Sequence, residues 1–170
     1  MYQVPGCPLL VHVDADNPKP RSPRKSGDLR SVADEEGIVT VISVPQAFNE
    51  EELFVDLRSI YGHSLFLKCE GFNFAGSIKL KAAAEMVEAA DRDGVLTPHS
   101  ILVESSSGNL GVALSMIAAS KGYRFLCVTD SRCNLSTRLL MEALGSEVHV
   151  ISEPAAVGGF LGARPRSPRR

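Results

Sequence analysis

Two short stretches of this chain combine residue types that could do chemistry together. The first, E-G-F-N-F-A-G-S-I-K-L-K at residues 70–81, carries Asn73, Ser77 and Lys79. The second, I-L-V-E-S-S-S-G-N-L-G at residues 101–111, carries Ser105, Ser106, Ser107, Gly108 and Asn109. Each is a polar, glycine-bearing turn that runs into a helical pattern. The start of a helix leaves backbone N–H groups unpaired and presents the positive end of a dipole, so it attracts an anion. A neutral amine forms a Schiff base with an aldehyde. Two such entrances, one with an amine beside it, outline a pocket for an anionic small molecule and a reactive lysine.

Plainer roles exist for every part. A lysine in the first turn of a helix is commonly a solvated charge, and Lys79 and Lys81, two positions apart, lie on different helical faces. Serine and glycine at a strand-to-helix turn commonly do no more than cap the helix. Three serines, a glycine and an asparagine exceed what capping needs. The second stretch is not a dinucleotide fingerprint, because G-x-G-x-x-G is absent, nor a P-loop, because G-K-[ST] is absent.

The surrounding pattern says what must hold these turns. Residues 4–14 contain a short apolar run expected as an edge strand, and the proline- and basic-rich residues 15–36 are expected to be a mobile linker. Ile38 to Val44 alternates like a strand. Asn49, followed by Glu50, Glu51 and Glu52, predicts a helix with Leu53, Leu57 and Ile60 on one face and Gly62 at its end. Leu65 to Cys69 is the next strand. Ser77 then caps a helix to Gly94 with Ala82, Met86, Ala89 and Ala90 inward. Ile101 to Val103, Phe125 to Val128 and Val148 to Ile151 are strands; Asn109 to Ser120 and Ser136 to Leu144 are helices. Apolar strands each followed by a helix predict an α/β fold, a three-layer parallel sheet with helices on both faces. Right-handed crossovers put the Ser105–Gly108 turn at a strand's carboxyl end, where ligands bind in such sheets. The division is a poorly ordered 1–37, an α/β domain at 38–154 and an irregular basic tail at 155–170.

The totals narrow the class. The chain has 170 residues, a net charge of −2 and four scattered cysteines without a C-x-x-C pair. It is one domain by length, with no basic field for nucleic acid or membrane and no disulfide framework, so a cytoplasmic protein is expected. Cys69 and Cys127 lie in apolar runs and read as buried hydrophobes. His12, His63, His99 and His149 have no partner at ligand spacing, so no metal site is proposed. Asp130 is expected to cap the turn after its strand, and Arg138 to be a solvated charge.

Together the two motifs resemble the active-site pair of fold-type II pyridoxal-phosphate enzymes, the cysteine synthase and cystathionine β-synthase family. That family's first motif is usually N-P-x-x-S-x-K-D-R and its second T-S-G-N-T-G. Asn73, Ser77 and Lys79 match the first; Ser107, Gly108, Asn109 and Gly111 match the second, with Ser106 in place of threonine. The resemblance covers roughly residues 62–152. It implies pyridoxal 5′-phosphate as cofactor, Lys79 as both Schiff-base lysine and general base, and Asn109 on the cofactor's 3′-hydroxyl. Ser106, Ser107, Gly108 and Asn109 would hold the substrate carboxylate. The implied reaction is β-replacement on an activated L-serine such as O-acetylserine or O-phosphoserine, by a homodimer acting on a small amino-acid substrate.

Phe74, Leu80-Lys81 and Leu110 depart from the family's proline, Asp-Arg and threonine. They turn the resemblance toward the branch that adds an amino acid for 2,3-diaminopropionate in siderophore synthesis. Two alternatives stay open: a serine/threonine dehydratase-like lyase, and a truncated or frame-shifted fragment without activity. V-G-G-F-L-G at 157–162 lacks the serine or threonine of a phosphate loop, so this polypeptide alone is expected to hold the cofactor weakly or not at all.

Overall fold

A computed structural model describes residues 53–153 in full and, before them, the backbone of four strand segments. Those segments are β1 (Tyr2–Gln3), β2 (Leu10–Val13), β3 (Leu29–Asp34) and β4 (Gly37–Ile42). β3 and β4 pair antiparallel as a hairpin, so regular pairing begins inside the stretch expected to be a linker. Asn49 to Glu52 and the tail from 155 onward, with its glycine-rich 157–162, lie outside the described residues.

The helix expected to end at Gly62 is only its last turn. Phe54–Asp56 form a strand, β5, and α1 spans just Arg58–Tyr61 before Gly62 ends it in the left-handed conformation, its N–H donated to Arg58 O. The reason is a partner further along the chain. β5 pairs antiparallel with β6 (Phe66–Lys68), and the aromatic and β-branched pair Phe54-Val55 suits that ribbon better than a helix. The Arg58 guanidinium grips Asp56 at 2.7 Å and lies over the Phe66 ring at 5.0 Å. All six ribbon residues remain exposed.

The main sheet has the order β1-β2-β7-β8-β9. β7 (Ser100–Ser105), β8 (Arg124–Asp130) and β9 (Glu147–Ile151) are parallel neighbours, joined by α3 (Asn109–Lys121) and α4 (Leu135–Ala143). β2 runs antiparallel to β7 with Val11 opposite Leu102, and β1 lies outside it, so β2 is a strand as expected but not the edge. The fold is mixed α/β with a parallel sheet and covering helices. Leu102, Phe125, Cys127 and Val148 face the helices, while Val103 and Val128 centre a smaller apolar cluster on the opposite face. Of the three expected layers, the described residues supply the sheet and this helical layer.

The core lies between the sheet and the pair α2 (Lys79–Arg92) and α3. α2 buries Leu80, Ala83, Val87 and Ala90, whereas Ala82, expected inward, is exposed. The stripe is turned by one position because Leu80 and Val87 remove more apolar area from water than an all-alanine face. Leu102, Leu114 and Ile117 are fully buried, each contributing roughly 1.5–3 kcal/mol by area. α3 ends as its sequence indicates, with Gly122 left-handed after Lys121.

Gly111, in the first turn of α3, lies close against α4 and β8. A Cβ there would lie 2.7 Å from Met141 Sδ and 3.3 Å from both Cys127 Sγ and Ser106 Cβ. Replacing Gly111 by alanine is therefore expected to destabilise the fold by about 1–3 kcal/mol. A lowered midpoint in urea denaturation checks this; an unchanged midpoint would show the contact to be looser.

Candidate active site

The first turn is built around one side chain. Asn73 Oδ1 accepts the N–H of Ala75 at 3.0 Å and of Ser77 at 3.4 Å, and its Nδ2 donates to Glu70 O at 3.0 Å and Ser77 O at 2.9 Å. Asn73 O also accepts the Gly76 N–H, and Gly76 takes a φ of 62° that favours glycine. Ser77 does not occupy the cap position itself. From one residue earlier, its Oγ accepts the Lys79 N–H at 3.3 Å, and Ile78 precedes the helix. Lys79 is the first residue of α2, and its side chain is exposed.

The second turn follows β7. Ser106 is buried, its N–H donates to Val128 O, and its Oγ accepts the N–H groups of Gly108 at 3.3 Å and Gly111 at 3.0 Å. The hydroxyl expected to grip a carboxylate is thus engaged in shaping the turn. Ser107 and Asn109 are exposed. The amides of Ser107, Asn109 and Leu110 meet no acceptor among the described residues. These donors stand at the positive end of a 13-residue helix, which suits a carboxylate or phosphate oxygen.

The two turns lie at one end of a helix pair. α2 packs beside α3. At their far ends, burial and then the charge of Asp91, in the last turn of α2, raise the pKa of Tyr123, which follows α3. α2 leads into the start of β7 and α3 leaves its end, so the two helices, 14 and 13 residues long, both run back along the strand, parallel to each other, and begin at the same end of the sheet. Lys79 and the Ser107–Asn109 donors therefore open on the same end of the layer.

Several residues around the site went unnoticed in the sequence. Glu70 bonds Lys68 Nζ at 2.8 Å and Lys81 Nζ at 3.0 Å; the alternating charges of K-C-E were the available signal. Thr129 Oγ1, near the carboxyl end of β8, had only its place at the end of an apolar run to mark it; like Ser105 Oγ at the end of β7, it is buried without a hydrogen-bond partner among the described residues. Asp130 caps the following turn, accepting the Arg132 N–H at 3.0 Å. Arg138 differs from expectation: it is half-buried, with Nε enclosed and no acceptor among the described residues. Cys127 is buried as expected, its Sγ donating to Ser106 O at 3.3 Å; Cys69 is half-buried.

Comparison with known proteins matches residues 54–164 to the family described as pyridoxal-phosphate dependent enzyme. This chain belongs to that family. Its fold is similar to that of an O-ureido-L-serine synthase, with 38% identity and a TM-score of 0.51 over 58% of this chain and 31% of that one. It is also similar to a hydrogen sulfide-producing enzyme from Fusobacterium nucleatum, with 29% identity and a TM-score of 0.58 over 63% of this chain and 36% of that one. The chain spans about a third of the length of these relatives. The donors described fit the cofactor: an exposed amine for its aldehyde and unpaired amides for an anionic group. Among the described residues no helix is long and apolar enough to cross a membrane.

Two outcomes follow from the geometry. Ser106→Ala strands the Gly108 amide and leaves the Gly111 amide with Gly108 O alone, and is expected to cost about 1 kcal/mol, whereas Ser107→Ala should fall within about 0.5 kcal/mol of the parent; paired denaturation curves compare them. Lys68 first, then Lys81, holds the Glu70 carboxyl below its ordinary value of 4.5. A depressed carboxyl contributes stability above its unfolded value that is lost as pH falls through the folded one. Amide-exchange protection across 70–81 is expected to hold above 4.5 and fall below it, with Glu70→Gln lacking that change.

Proposed function

We propose that this chain carries the lysine and carboxylate-binding parts of an enzyme that replaces the β-substituent of an activated L-serine. The observation that carries the reading is the exposed Lys79 amine at the same helix-pair end as the unpaired Ser107, Asn109 and Leu110 amides. Its support is family membership and two similar structures, one named for making O-ureido-L-serine and the other for producing hydrogen sulfide.

Pyridoxal phosphate, when bound, supplies the electron sink for carbanion chemistry at an amino acid's Cα. Lys79 Nζ would hold the cofactor through its aldehyde and would take up the substrate's Cα proton as general base. Ser107, Asn109 and the adjoining amides would hold the substrate carboxylate, while Ser106 and Gly108 keep the turn in shape; Asn109 would also bond the cofactor hydroxyl. The departures at Phe74, Leu80, Lys81 and Leu110 favour an amine over sulfide as nucleophile, the 2,3-diaminopropionate branch of siderophore synthesis. The substrate is a small amino acid, and the whole enzyme is a homodimer.

A second reading, a partial unit without activity, draws on the exposed Phe54, Val55, Ile60, Tyr61, Phe66 and Leu67. Apolar surface on this scale is an interaction face seeking cover.

With pyridoxal phosphate in excess and borohydride added, peptide mapping is expected to put the label on Lys79 in preference to Lys121, and Lys79→Ala to lose it. Label spread evenly over both lysines would sink the reading. Products from O-acetyl-L-serine with an amine or sulfide present distinguish replacement from elimination to a keto acid and from the inactive unit.

A further inference from the structure

We propose that Glu70 and Lys81 are positioning residues for Lys79. Their ion pair ties the first turn of α2 to β6 and fixes the direction in which the Lys79 amine leaves the helix. The inference rests on the reading of Lys79 given above and adds to it the device that aims the amine.

Glu70 stands two residues beyond Lys68, the last residue of β6. Its Oε1 meets Lys68 Nζ at 2.8 Å and its Oε2 meets Lys81 Nζ at 3.0 Å, so one carboxylate spans strand and helix. The same residue's carbonyl accepts from Asn73, whose side chain organises Ala75 and Ser77, and Ser77 Oγ in turn accepts the Lys79 N–H. A bonded path therefore runs from the end of β6 to the start of α2.

Helical geometry says what the tie controls. Successive residues are about 100° apart around the axis, so Lys79 and Lys81 flank the buried Leu80 on opposite sides. Leu80, with Ala83, Val87 and Ala90 behind it, seats the helix on the core. The tie from Lys81 to Glu70 on one flank holds the helix entrance against the end of β6 and so sets where Lys79 leaves on the other. Lone surface ion pairs add little stability, and here the side chains of Glu70 and Lys81 are 23% and 33% exposed. The arrangement is better explained by direction than by stability, because a small misplacement of a reacting group costs far more in rate than in folding.

The test uses the whole chain with excess pyridoxal phosphate, borohydride fixation and peptide mapping, reading the ratio of label on Lys79 to label on Lys121. Glu70→Gln and Lys81→Met are each expected to lower that ratio roughly ten- to a hundredfold, with denaturation midpoints near the parent's. Lys81→Arg, which keeps the charge and the reach, is expected to restore most of the ratio. If the parent prefers Lys79 but both Glu70→Gln and Lys81→Met keep that preference, the positioning role is wrong and the lysine assignment stands. If the parent shows no preference, the lysine assignment fails and the positioning role falls with it. A drop that Lys81→Arg does not relieve also counts against the pair.

Discussion

The site depends on two helices lying side by side and running the same way. α2 and α3 meet through Leu80, Ala83, Val87 and Ala90 on one side and Val112, Ala113 and Ile117 on the other, around a buried core. Small residues at Ala83, Ala90 and Ala113 let the axes come close, and the larger ones supply area. Because β7 alone separates the two helices in sequence, a right-handed path returns the second beside the first with the same direction. Both positive ends then open at one place.

Each turn is made self-sufficient by a polar side chain turned inward. Asn73 supplies two acceptances and two donations within its own loop, and Ser106 satisfies two amides of the next. Backbone groups that would otherwise need water are paired, so the turns can stay ordered near the surface. What remains unpaired at α3 among the described residues is a short set of donors, the part available to a ligand. Glu70 extends the same economy from hydrogen bonds to charge, serving two lysines from one carboxylate.

Much of this was legible from residue order. Gly122 and Asn109 marked the ends of α3, and the continuous apolar runs at 101–103 and 125–128 marked buried parallel strands. The helix expected from Ser136 starts one residue earlier, at Leu135, with Asn134 capping it by accepting the Ser136 N–H. The failures share a cause. Phe54-Val55-Asp56 carries a helical period, yet its fate is set by Phe66–Lys68, ten residues on, which no local window contains. Ala82 lost its inward place to Ala83 because burial follows the neighbouring helix, not the run of alanines. The hydroxyl of Ser106 could be seen in the sequence; what it bonds could not.

The amine, its loop, the intervening strand and the second turn all fall within residues 70–111. The apparatus is thus contiguous along the gene as well as in space. A recombination event that moves this block whole transplants both halves of the cradle and their mutual orientation. One that cuts inside β7 parts the Lys79 loop from the Ser106–Asn109 turn, and neither daughter inherits the pairing.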